Sequence, residues 1–497
     1  MRLSELITAC EQTATLAPNP YGVDPEIEGL TADSRAVKPG CLFAALPGAK
    51  TDGRAFIPGA LANGAVAVLL PDTGAADPAS LHDDRKPHVR FVLSSAPRRC
   101  FSLMAARFFS AQPPVMVAVT GTNGKTSICA FYRQMWQSQG RSSAAIGSLG
   151  VDSDAVTQPY RLTTPEPVAL HTTLKQLADA GVEFAAMEAS SHGIIQNRLD
   201  GVKLRAAGFT NVSRDHLDYH KDMDSYVQAK VRLFTELLDA DGCAVLNADA
   251  DYAAAFIDSC RARGLKVMTY GRKGEDLRIL DIEPLRDGQI LSLNILGRSV
   301  RLRLPLVGEF QAENALCALG LFVATGGDVE DGLKALETIK GAKGRVELVA
   351  TTPSGGLVYI DYAHTPDAHV RLLPVLRRHT TGKLALVFGC GGDRDPGKRP
   401  EMGIIAQSMA DRVYVTDDNP RSEDPATIRK AILVNCPKAR EIADRGEAIR
   451  AAVADLESGD LLVVTGKGPD RGQIMGDQVL PFSDYEEILK AVREVGR

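Results

Sequence analysis

Apolar runs alternate with polar, helix-like segments along the chain, and this pattern changes at two places. Residues 65–70 form an apolar run that predicts a buried strand after a helix end. After the Pro113-Pro114 pair, a second run at 115–120 begins abruptly and leads through a glycine-containing loop into the helix-like segment 127–136. The proline pair therefore predicts that a new domain starts there.

The last third of the chain repeats one unit, a short β-rich run followed by a helix-like segment. This alternation predicts a mostly parallel sheet covered by helices on both faces. The loops after the runs are rich in glycine, proline and charge, and ligands of such sheets bind beyond the carboxyl ends of the strands. The runs are residues 357–361, 384–389, 412–416 and 460–465.

Together these patterns predict an α/β protein of three domains. The chain has 497 residues, and at roughly 150 residues per domain that length is too great for a single core. The second boundary falls near residues 341–349, before the repeated units begin. We expect an N-terminal α/β domain, a central parallel-sheet domain and a C-terminal doubly wound, Rossmann-like domain, over residues 1–112, 113–344 and 345–497.

The composition is that of a folded, water-soluble protein, with 44% hydrophobic and 24% charged residues. The formal net charge is −5, from 57 Lys plus Arg against 62 Asp plus Glu, so no overall positive field attracts nucleic acid or an anionic membrane. We therefore expect small-molecule ligands bound by local groups, and neither nucleic acid nor a membrane as a partner. We also expect a monomer, although composition and charge do not determine the oligomeric state.

The cysteines and the first residues predict a cytoplasmic protein. Nine cysteines are scattered singly without a CxxC pair, which fits buried thiols in a reducing compartment. Glu5 and Glu11 interrupt what would have to be the apolar region of a signal sequence, and the segment is better interpreted as an amphipathic helix.

A phosphate-binding loop is predicted between the run at 115–120 and the helix that follows. Backbone N–H groups of such a loop cradle phosphate, the lysine neutralises its charge, and the next hydroxyl can bind Mg²⁺. Val119 stands where the general GxxxxGK[ST] pattern has its first glycine, so an ordinary glycine turn is the alternative. The residues are Gly121, Thr122, Asn123, Gly124, Lys125, Thr126 and Ser127.

Three further residues are candidates for the same chemistry. Glu188 follows an apolar run and supplies the oxygen that Mg²⁺ prefers. His216 lies in a loop and Lys230 on a predicted helix over 225–234. Each of these two is a weak signal by itself, because isolated histidines are often packed or capping residues and helical lysines are usually solvated.

The shortened loop TGTNGKT resembles the ATP loop of the Mur ligases and their relatives, the folylpolyglutamate synthases and cyanophycin synthetases. The resemblance covers essentially the whole chain and implies ATP-driven joining of a carboxylate to an amine. In Mur ligases the lysine that matches Lys230 is carboxylated by CO₂ and binds a second Mg²⁺. The resemblance thus implies ATP as co-substrate and Mg²⁺ held by Thr126, Glu188, His216 and carboxylated Lys230. It also implies catalytic roles for Lys125, Glu188, His216 and Lys230.

The resemblance is greatest to the members that add the third stem-peptide residue to UDP-N-acetylmuramoyl-L-alanyl-D-glutamate in peptidoglycan synthesis. It implies an adenosine and phosphate site at Asn314, Arg345 and Asp361. It also implies a site for the UDP-muramoyl dipeptide at Ala32, Ser34, Ala49, Lys50, Thr51, Thr163, Thr164, Ser190, Gln196 and Arg198. Taken alone, most of these residues would be assigned to turns, caps or the surface.

The loop Asp418-Asn419-Pro420-Arg421 resembles the signature of members that add meso-diaminopimelate, whereas lysine-adding members lack the arginine. Diaminopimelate is lysine with an extra carboxylate, and a guanidinium fork distinguishes the two. Family members commonly have GKGHE where this chain has Pro469 and a shorter carboxylate. The predicted diaminopimelate site is Arg394, Asp418, Asn419, Pro420, Arg421, Gly466 and Asp470.

The expected reaction passes through an acyl phosphate, and the domains are expected to close to exclude water. Three alternatives stay open from the sequence. The same ligase could add L-lysine, the chain could be a folylpolyglutamate synthase, or it could be a non-catalytic nucleotide-binding regulator that kept the fold. The DNPR loop argues against the second, and the intact Lys125, Glu188, His216 and Lys230 argue against the third.

Overall fold

The computed structural model describes residues 1–18, 21–48, 51–72, 88–160, 162–213 and 219–496. Contacts divide the chain into two compact units. The first comprises Met1–Lys125, Gly140–Leu246 and Ala250–Val267, and the second comprises Thr126–Gln139, Asn247–Asp249 and Met268–Arg497. Within the described part of the chain, no helix has the length and apolar character needed to cross a bilayer.

The first unit opens with a five-stranded sheet in the order β1-β5-β4-β3-β2. Only β1 is antiparallel to its neighbour, and buried side chains cover both faces. The predicted strand at 65–70 corresponds to β4, and the predicted N-terminal helix is short. The elements are α1 (Leu3–Ile7), β1 (Ala14–Leu16), β2 (Gly29–Thr31), β3 (Cys41–Ala44), α2 (Ile57–Ala62), β4 (Ala67–Pro71), β5 (Arg90–Ser94) and α3 (Pro97–Phe109).

A further run of paired strands follows, in the order β12-β11-β6-β10-β7-β8-β9. Strands β12, β11, β6, β10 and β7 are parallel, and β6 lies at their centre. The elements are β6 (Val115–Thr120), α4 (Lys125–Ser138), β7 (Ser143–Gly147), β8 (Gly150–Ser153), β9 (Thr157–Gln158), α5 (Pro167–Asp179), β10 (Phe184–Glu188), α6 (Ser191–Ile195), β11 (Leu204–Phe209), α7 (Met223–Arg232), β12 (Leu238–Asn247) and α8 (Ala253–Ala262).

In the second unit an antiparallel meander precedes two helices. Strand β13 pairs in parallel with β14, and β14, β15 and β16 pair antiparallel in sequence. The elements are β13 (Lys266–Gly271), β14 (Leu277–Leu285), β15 (Gly288–Ile295), β16 (Arg298–Leu304), α9 (Glu309–Ala324) and α10 (Val329–Leu336).

The C-terminal sheet has the order β17-β18-β22-β19-β20-β21 and is parallel except for β17. This confirms the predicted parallel sheet and its four strands. The elements are β17 (Glu347–Thr351), β18 (Leu357–Asp361), α11 (Pro366–Arg378), β19 (Leu384–Phe388), α12 (Lys398–Met409), β20 (Arg412–Val415), α13 (Pro425–Leu433), β21 (Arg440–Glu441), α14 (Arg445–Ala454), β22 (Leu461–Thr465), β23 (Gly472–Met475), β24 (Gln478–Pro481) and α15 (Asp484–Val495).

Alternation along these strands buries both faces of the C-terminal sheet. Tyr359 and Leu386 pack on one face against α11, α12 and α13, whereas Val358 and Val387 pack on the other against α14 and α15. Helices on both faces leave the strand ends as the place where loops can form a site. The domain boundaries at 112/113 and 344/345 stay predictions.

One histidine links the start of α9 to the end of α11. The ring of His379 bonds the carbonyl of Leu285 through Nδ1 at 2.6 Å and accepts the N–H of Gly308 at Nε2 at 3.0 Å. These two bonds require the neutral ring with its proton on Nδ1. Burial lowers the pKa of His379 and favours the same form.

Candidate active site

The predicted phosphate loop connects the central strand β6 to α4. Gly121 has a φ of +149°, and a Cβ built on it would lie 1.8 Å from Thr210 Oγ1. The close approach of the neighbouring strand end thus requires glycine at this position. The main-chain N–H of Thr122 donates to the carbonyl of Asn211, and that of Asn123 to its Oδ1.

Side chains from α4 and α7 also hold this loop. Lys125 Nζ donates to the carbonyls of Gly121 and Thr122, each at 2.8 Å. Thr122 Oγ1 lies 3.1 Å from the hydroxyl of Tyr226 and accepts the N–H of Ser213 at 3.0 Å. The roles of Asn211, Ser213 and Tyr226 were not predicted from the sequence, because contacts that hold a loop in this way have no local sequence pattern.

Lys230 reaches the phosphate loop from α7. Its Nζ donates to the carbonyl of Gly121 at 2.9 Å and lies 4.3 Å from the ring centre of Tyr226. The residue is buried, with 1% of its surface exposed. The structure therefore brings Lys230 to the loop that carries Lys125, which a solvated helical lysine would not do.

Glu188 ends β10, the strand beside β6, where it is in register with Val119. Its carboxylate accepts the N–H and the hydroxyl of Ser148, at 2.8 and 3.2 Å. A buried carboxylate beside a phosphate loop fits the oxygen ligand that Mg²⁺ takes. Among the residues that the structure describes, no three His, Cys, Asp or Glu side chains form a metal-holding group.

The residues assigned to the muramoyl dipeptide lie around Glu188. Thr164 Oγ1 donates to the carbonyl of Glu188 at 2.9 Å and lies 3.0 Å from Ser190 Oγ. Thr163 Oγ1 is 3.0 Å from Ser148 Oγ. Five residues predicted from distant motifs therefore share one region of the first unit, namely Thr163, Thr164, Ser190, Gln196 and Arg198.

Arg198 is held by three oxygen atoms in that region. Its guanidinium donates to the carbonyl of Thr164 at 2.8 Å and to Gln196 Oε1 at 2.7 Å, and it pairs with Glu166 at 2.8 Å. Because Glu166 is more than half exposed and Arg198 is mostly buried, a ligand carboxylate could replace Glu166 at the guanidinium.

The residues assigned to UDP lie in the N-terminal sheet region. Ser34 starts a short 3₁₀ turn after β2, and its carbonyl accepts the side-chain amide of Asn63 at 3.2 Å. Ala32 and Thr51 are exposed, and the carbonyl of Thr51 accepts the N–H of Gly48. Three predicted residues, Ala49, Lys50 and His216, lie outside the described residues.

The second unit holds the residues assigned to the adenosine side of ATP. Asn314 is buried on α9. Asp361 ends β18 and accepts the N–H groups of Val346 and Ala363 at 2.9 and 2.7 Å, and burial raises the pKa of its carboxyl group. The guanidinium carbon of Arg345 lies 4.9 Å from the ring centre of Tyr362, the residue after Asp361.

The loops after β19 and β20 are bonded to each other. The N–H of Gly392 donates to the carbonyl of Asn419 at 2.9 Å, and Arg421 Nη1 donates to the carbonyl of Gly392 at 2.8 Å. Asp393 accepts the N–H and hydroxyl of Ser422. The structure thus brings the loop that carries Arg394 against the tetrapeptide that carries Arg421.

Glycine is required where these loops approach most closely. A Cβ on Gly392 would lie 1.9 Å from the carbonyl oxygen of Pro420. Gly466 follows β22 with a φ of +112°, and a Cβ there would lie 2.6 Å from Asp418 Oδ2. Asp470, in the same loop, donates its N–H to the carbonyl of Lys467.

Comparisons with known proteins match this arrangement over nearly the whole chain. Three sequence profiles match, described as Mur ligase family, catalytic domain (residues 26–107), Mur ligase middle domain (119–322) and Mur ligase, glutamate ligase domain (344–468). This chain belongs to the Mur ligase family. Its three-domain α/β architecture is that of the family.

Relatives of this Mur ligase carry a specific name. Proteins of Mesorhizobium japonicum and Caulobacter vibrioides, both named UDP-N-acetylmuramoyl-L-alanyl-D-glutamate--2,6-diaminopimelate ligase, are each 50% identical to it. The first match covers 95% of this chain and 96% of the relative, and the second covers 98% and 99%. A solved structure of the same name has a TM-score of 0.71 at 33% identity and covers 95% of this chain and 96% of that one.

One buried residue in the loop after β22 was not predicted as a site residue from the sequence. Lys467 follows β22, is fully buried, and donates from Nζ to Asn419 Oδ1 at 2.9 Å. Burial lowers the pKa of Lys467. Its place in the GKG segment after a predicted strand was the available signal, but its burial and its partner depend on the tertiary fold.

The hairpin β23–β24 was missed as well. Gln473 Nε2 donates to the carbonyl of Asp418 at 2.7 Å, and the N–H of Ile474 donates to Asn419 Oδ1 at 2.9 Å. Arg421 has a φ of +52°, and its N–H donates to the carbonyl of Ile474. The hairpin thus holds the tetrapeptide through these hydrogen bonds, with Arg421 in a backbone conformation that non-glycine residues rarely adopt.

Proposed function

We propose that this Mur ligase uses ATP to join meso-diaminopimelate to the D-glutamate γ-carboxylate of UDP-N-acetylmuramoyl-L-alanyl-D-glutamate, a step of peptidoglycan precursor synthesis. The observation that carries the proposal is the 50% identity over 95–98% of the chain to proteins named for this activity. The bonded loops that bear Arg394 and Arg421 support the choice of amino acid.

The proposed reaction has two steps. A γ-carboxylate oxygen attacks the γ-phosphorus of ATP, and ADP leaves, which gives an acyl phosphate. The amine of diaminopimelate then attacks the acyl carbon, phosphate leaves, and the amine loses a proton. Lys125 neutralises phosphate charge, and the rigid loop around Gly121 positions the nucleotide, so catalysis comes from positioning and electrostatic stabilisation.

Mg²⁺ is the proposed cofactor, and the residues present fit it. Glu188 supplies a buried carboxylate and Thr126 a hydroxyl after the loop lysine. Bound Mg²⁺ would neutralise phosphate charge. Lys230, carboxylated by CO₂, would supply a further oxygen ligand, because a carbamate converts a cation that repels Mg²⁺ into an anion. His216 is proposed as a further metal-site residue from the resemblance.

Specificity for diaminopimelate follows from charge. The distal end of diaminopimelate carries a carboxylate that lysine lacks, and Arg421 offers a guanidinium for it. The substrate lysine would leave that half-buried guanidinium without a carboxylate partner, which penalises lysine relative to diaminopimelate. Arg394 and Asp470 are proposed to bind the same substrate, with Asp470 at its ammonium group.

The test is phosphate release by the purified protein with ATP, Mg²⁺ and UDP-N-acetylmuramoyl-L-alanyl-D-glutamate, with meso-diaminopimelate or L-lysine as the amine. We expect release with diaminopimelate and little with lysine. Release with lysine alone would overturn the specificity argument and keep the ligase. No release with either amine would favour the non-catalytic regulator.

The reaction is proposed to take place in the cytoplasm by a monomer. The nine cysteines form no disulfide in the structure, which fits a reducing compartment. Sedimentation of the purified protein tests the monomer, and a mass near 53.2 kDa is the expected result.

A further inference from the structure

Lys467 is a cation placed inside the C-terminal domain without contact with solvent. None of its surface is exposed, and its Nζ donates to Asn419 Oδ1 at 2.9 Å. The carboxylates of Asp418, Asp470 and Asp484 act favourably on its charge. Burying a lysine is costly, and the cost is met only when its charge and its N–H donors find partners.

The bond from Lys467 determines how the Asn419 amide is oriented. Asn419 Oδ1 accepts both the ammonium of Lys467 and the main-chain N–H of Ile474, each at 2.9 Å. Two donors occupy both lone pairs of the amide oxygen. The group that Asn419 can offer a ligand is therefore its NH₂, a hydrogen-bond donor.

Main-chain hydrogen bonds also hold Arg421, whose guanidinium is the second donor of the tetrapeptide. The N–H of Arg421 donates to the carbonyl of Ile474 at 3.0 Å, and the N–H of Gly476 donates to the carbonyl of Arg421 at 2.7 Å. Arg421 is two residues from Asn419, so an amide donor and a guanidinium donor belong to one fixed segment. Paired donors of this kind match a carboxylate.

We propose that Lys467 is a positioning residue for the amino-acid substrate, because it holds Asn419 with its NH₂ group available to a substrate carboxylate. This inference rests on the proposed function. Lys467 acts through Asn419 and does not itself need to touch the substrate. Lys467 could instead have a purely structural role and only neutralise nearby carboxylates. In that case its replacement would affect the domain as a whole and not one substrate in particular.

A double-mutant cycle on the KM for meso-diaminopimelate separates the two roles. Lys467→Met removes the charge and the hydrogen-bond donor but keeps a side chain of similar length. We expect it to raise this KM about tenfold, since a hydrogen bond to a charged group is lost, while the KM for ATP and kcat change less than about twofold. In an Asn419→Ala background, Lys467→Met should cause no further rise.

An equal rise in both backgrounds, or an unchanged KM in the single variant, would overturn the inference. Lys467→Gln keeps an N–H donor, and we expect it to recover part of the lost affinity, which also provides a test if the Met variant fails to fold. Lys490→Met is the matched control, because Lys490 is an exposed lysine of the same domain that pairs with Glu487. Should the wild-type protein release no phosphate with diaminopimelate, the proposed function fails and the inference falls with it.

Discussion

The chemical state of one buried residue, Lys230, decides the local charge beside the phosphate loop. As an ammonium it donates to the carbonyl of Gly121. As a neutral amine it could attack CO₂ and lose a proton, which would leave a carbamate anion at the same place. We expect Lys230→Met to lower kcat about 100-fold, because the variant cannot form the proposed carbamate ligand in a site of concentrated phosphate charge.

Bicarbonate and a neighbouring lysine provide the controls for that prediction. Wild-type activity should fall in CO₂-depleted buffer and recover with bicarbonate, whereas the variant should not respond. Native mass spectrometry at high bicarbonate should detect the added CO₂. Lys221→Met changes an exposed lysine just before α7 and should leave kcat within about twofold. An unaltered rate for Lys230→Met would contradict a role for this residue.

At the scale of residues, the sequence identified those that lie in a local pattern. Lys125 and Glu188 follow apolar runs whose strand ends are adjacent in the sheet, so their neighbourhood could be predicted. Asn211, Tyr226 and Lys467 could not be found in this way, because each acts through a partner distant in the chain. The roles assigned to Arg198 and Arg421 came from the family resemblance and stay predictions.

At the scale of elements, a buried ion pair joins two helices to the end of a central strand. Arg445 at the start of α14 pairs with Asp484 at the start of α15 through two bonds of 2.7 Å, and it donates to the carbonyl of Thr465 at the end of β22. Neither side chain of the pair is exposed. Asp484→Asn should lower the free energy of unfolding by about 3 kcal/mol or more, because a buried guanidinium is left without its counter-charge.

Urea unfolding of two further variants provides the controls for that result. Lys490→Met breaks an exposed ion pair on the same helix and should change the free energy of unfolding by less than about 0.5 kcal/mol. Arg445→Met combined with Asp484→Leu removes both charges and should recover much of the loss. A cost below about 1 kcal/mol for Asp484→Asn would show that the pair is not the link between these elements.

Elements with a strong apolar pattern were predictable and exposed ones were not. Strands β6, β18, β19 and β22 are mostly apolar and buried, and they begin and end within a residue of the predicted runs. The hairpin β23–β24 has half-buried or exposed residues at every position, so its sequence lacks the alternation that indicates a strand.

At the scale of the molecule, His379 couples stability to pH. The neutral ring accepts the N–H of Gly308, which a protonated ring cannot do. Its pKa in the folded protein is lowered from the ordinary value of 6.5 by burial, with the positive charge of Arg378 acting in the same direction. As pH falls below about 6.5 the unfolded chain binds a proton that the folded chain does not, so this contribution to stability is lost.

Histidine variants show how much His379 contributes to the pH dependence of stability. Urea unfolding measures the free energy of unfolding at each pH. Between pH 7 and pH 5 this free energy should fall more for the wild-type protein than for His379→Phe. His88→Phe, at an exposed histidine before β5, should keep the wild-type pH dependence. Equal pH dependence in the wild-type and His379→Phe proteins would contradict the prediction.

The architecture of the whole molecule was predicted from two kinds of information. The length and the β/α alternation predicted three α/β domains and the parallel C-terminal sheet, both of which are confirmed. The family was predicted from the phosphate-loop motif and the other motifs that resemble Mur ligases. The comparisons confirm this family. Composition and periodicity alone could not have supplied it, because many families share such sheets.

Hydrogen bonds join the loops after β19 and β20 to the hairpin β23–β24. These bonds affect any attempt to exchange substrate specificity between homologues. The tetrapeptide at 418–421 takes its shape from Gly392 on one side and from Ile474 on the other. Grafting those four residues into a lysine-adding relative would transfer the arginine without its supports. A working graft would therefore need three segments together, namely the tetrapeptide, the loop that carries Gly392 and the hairpin β23–β24.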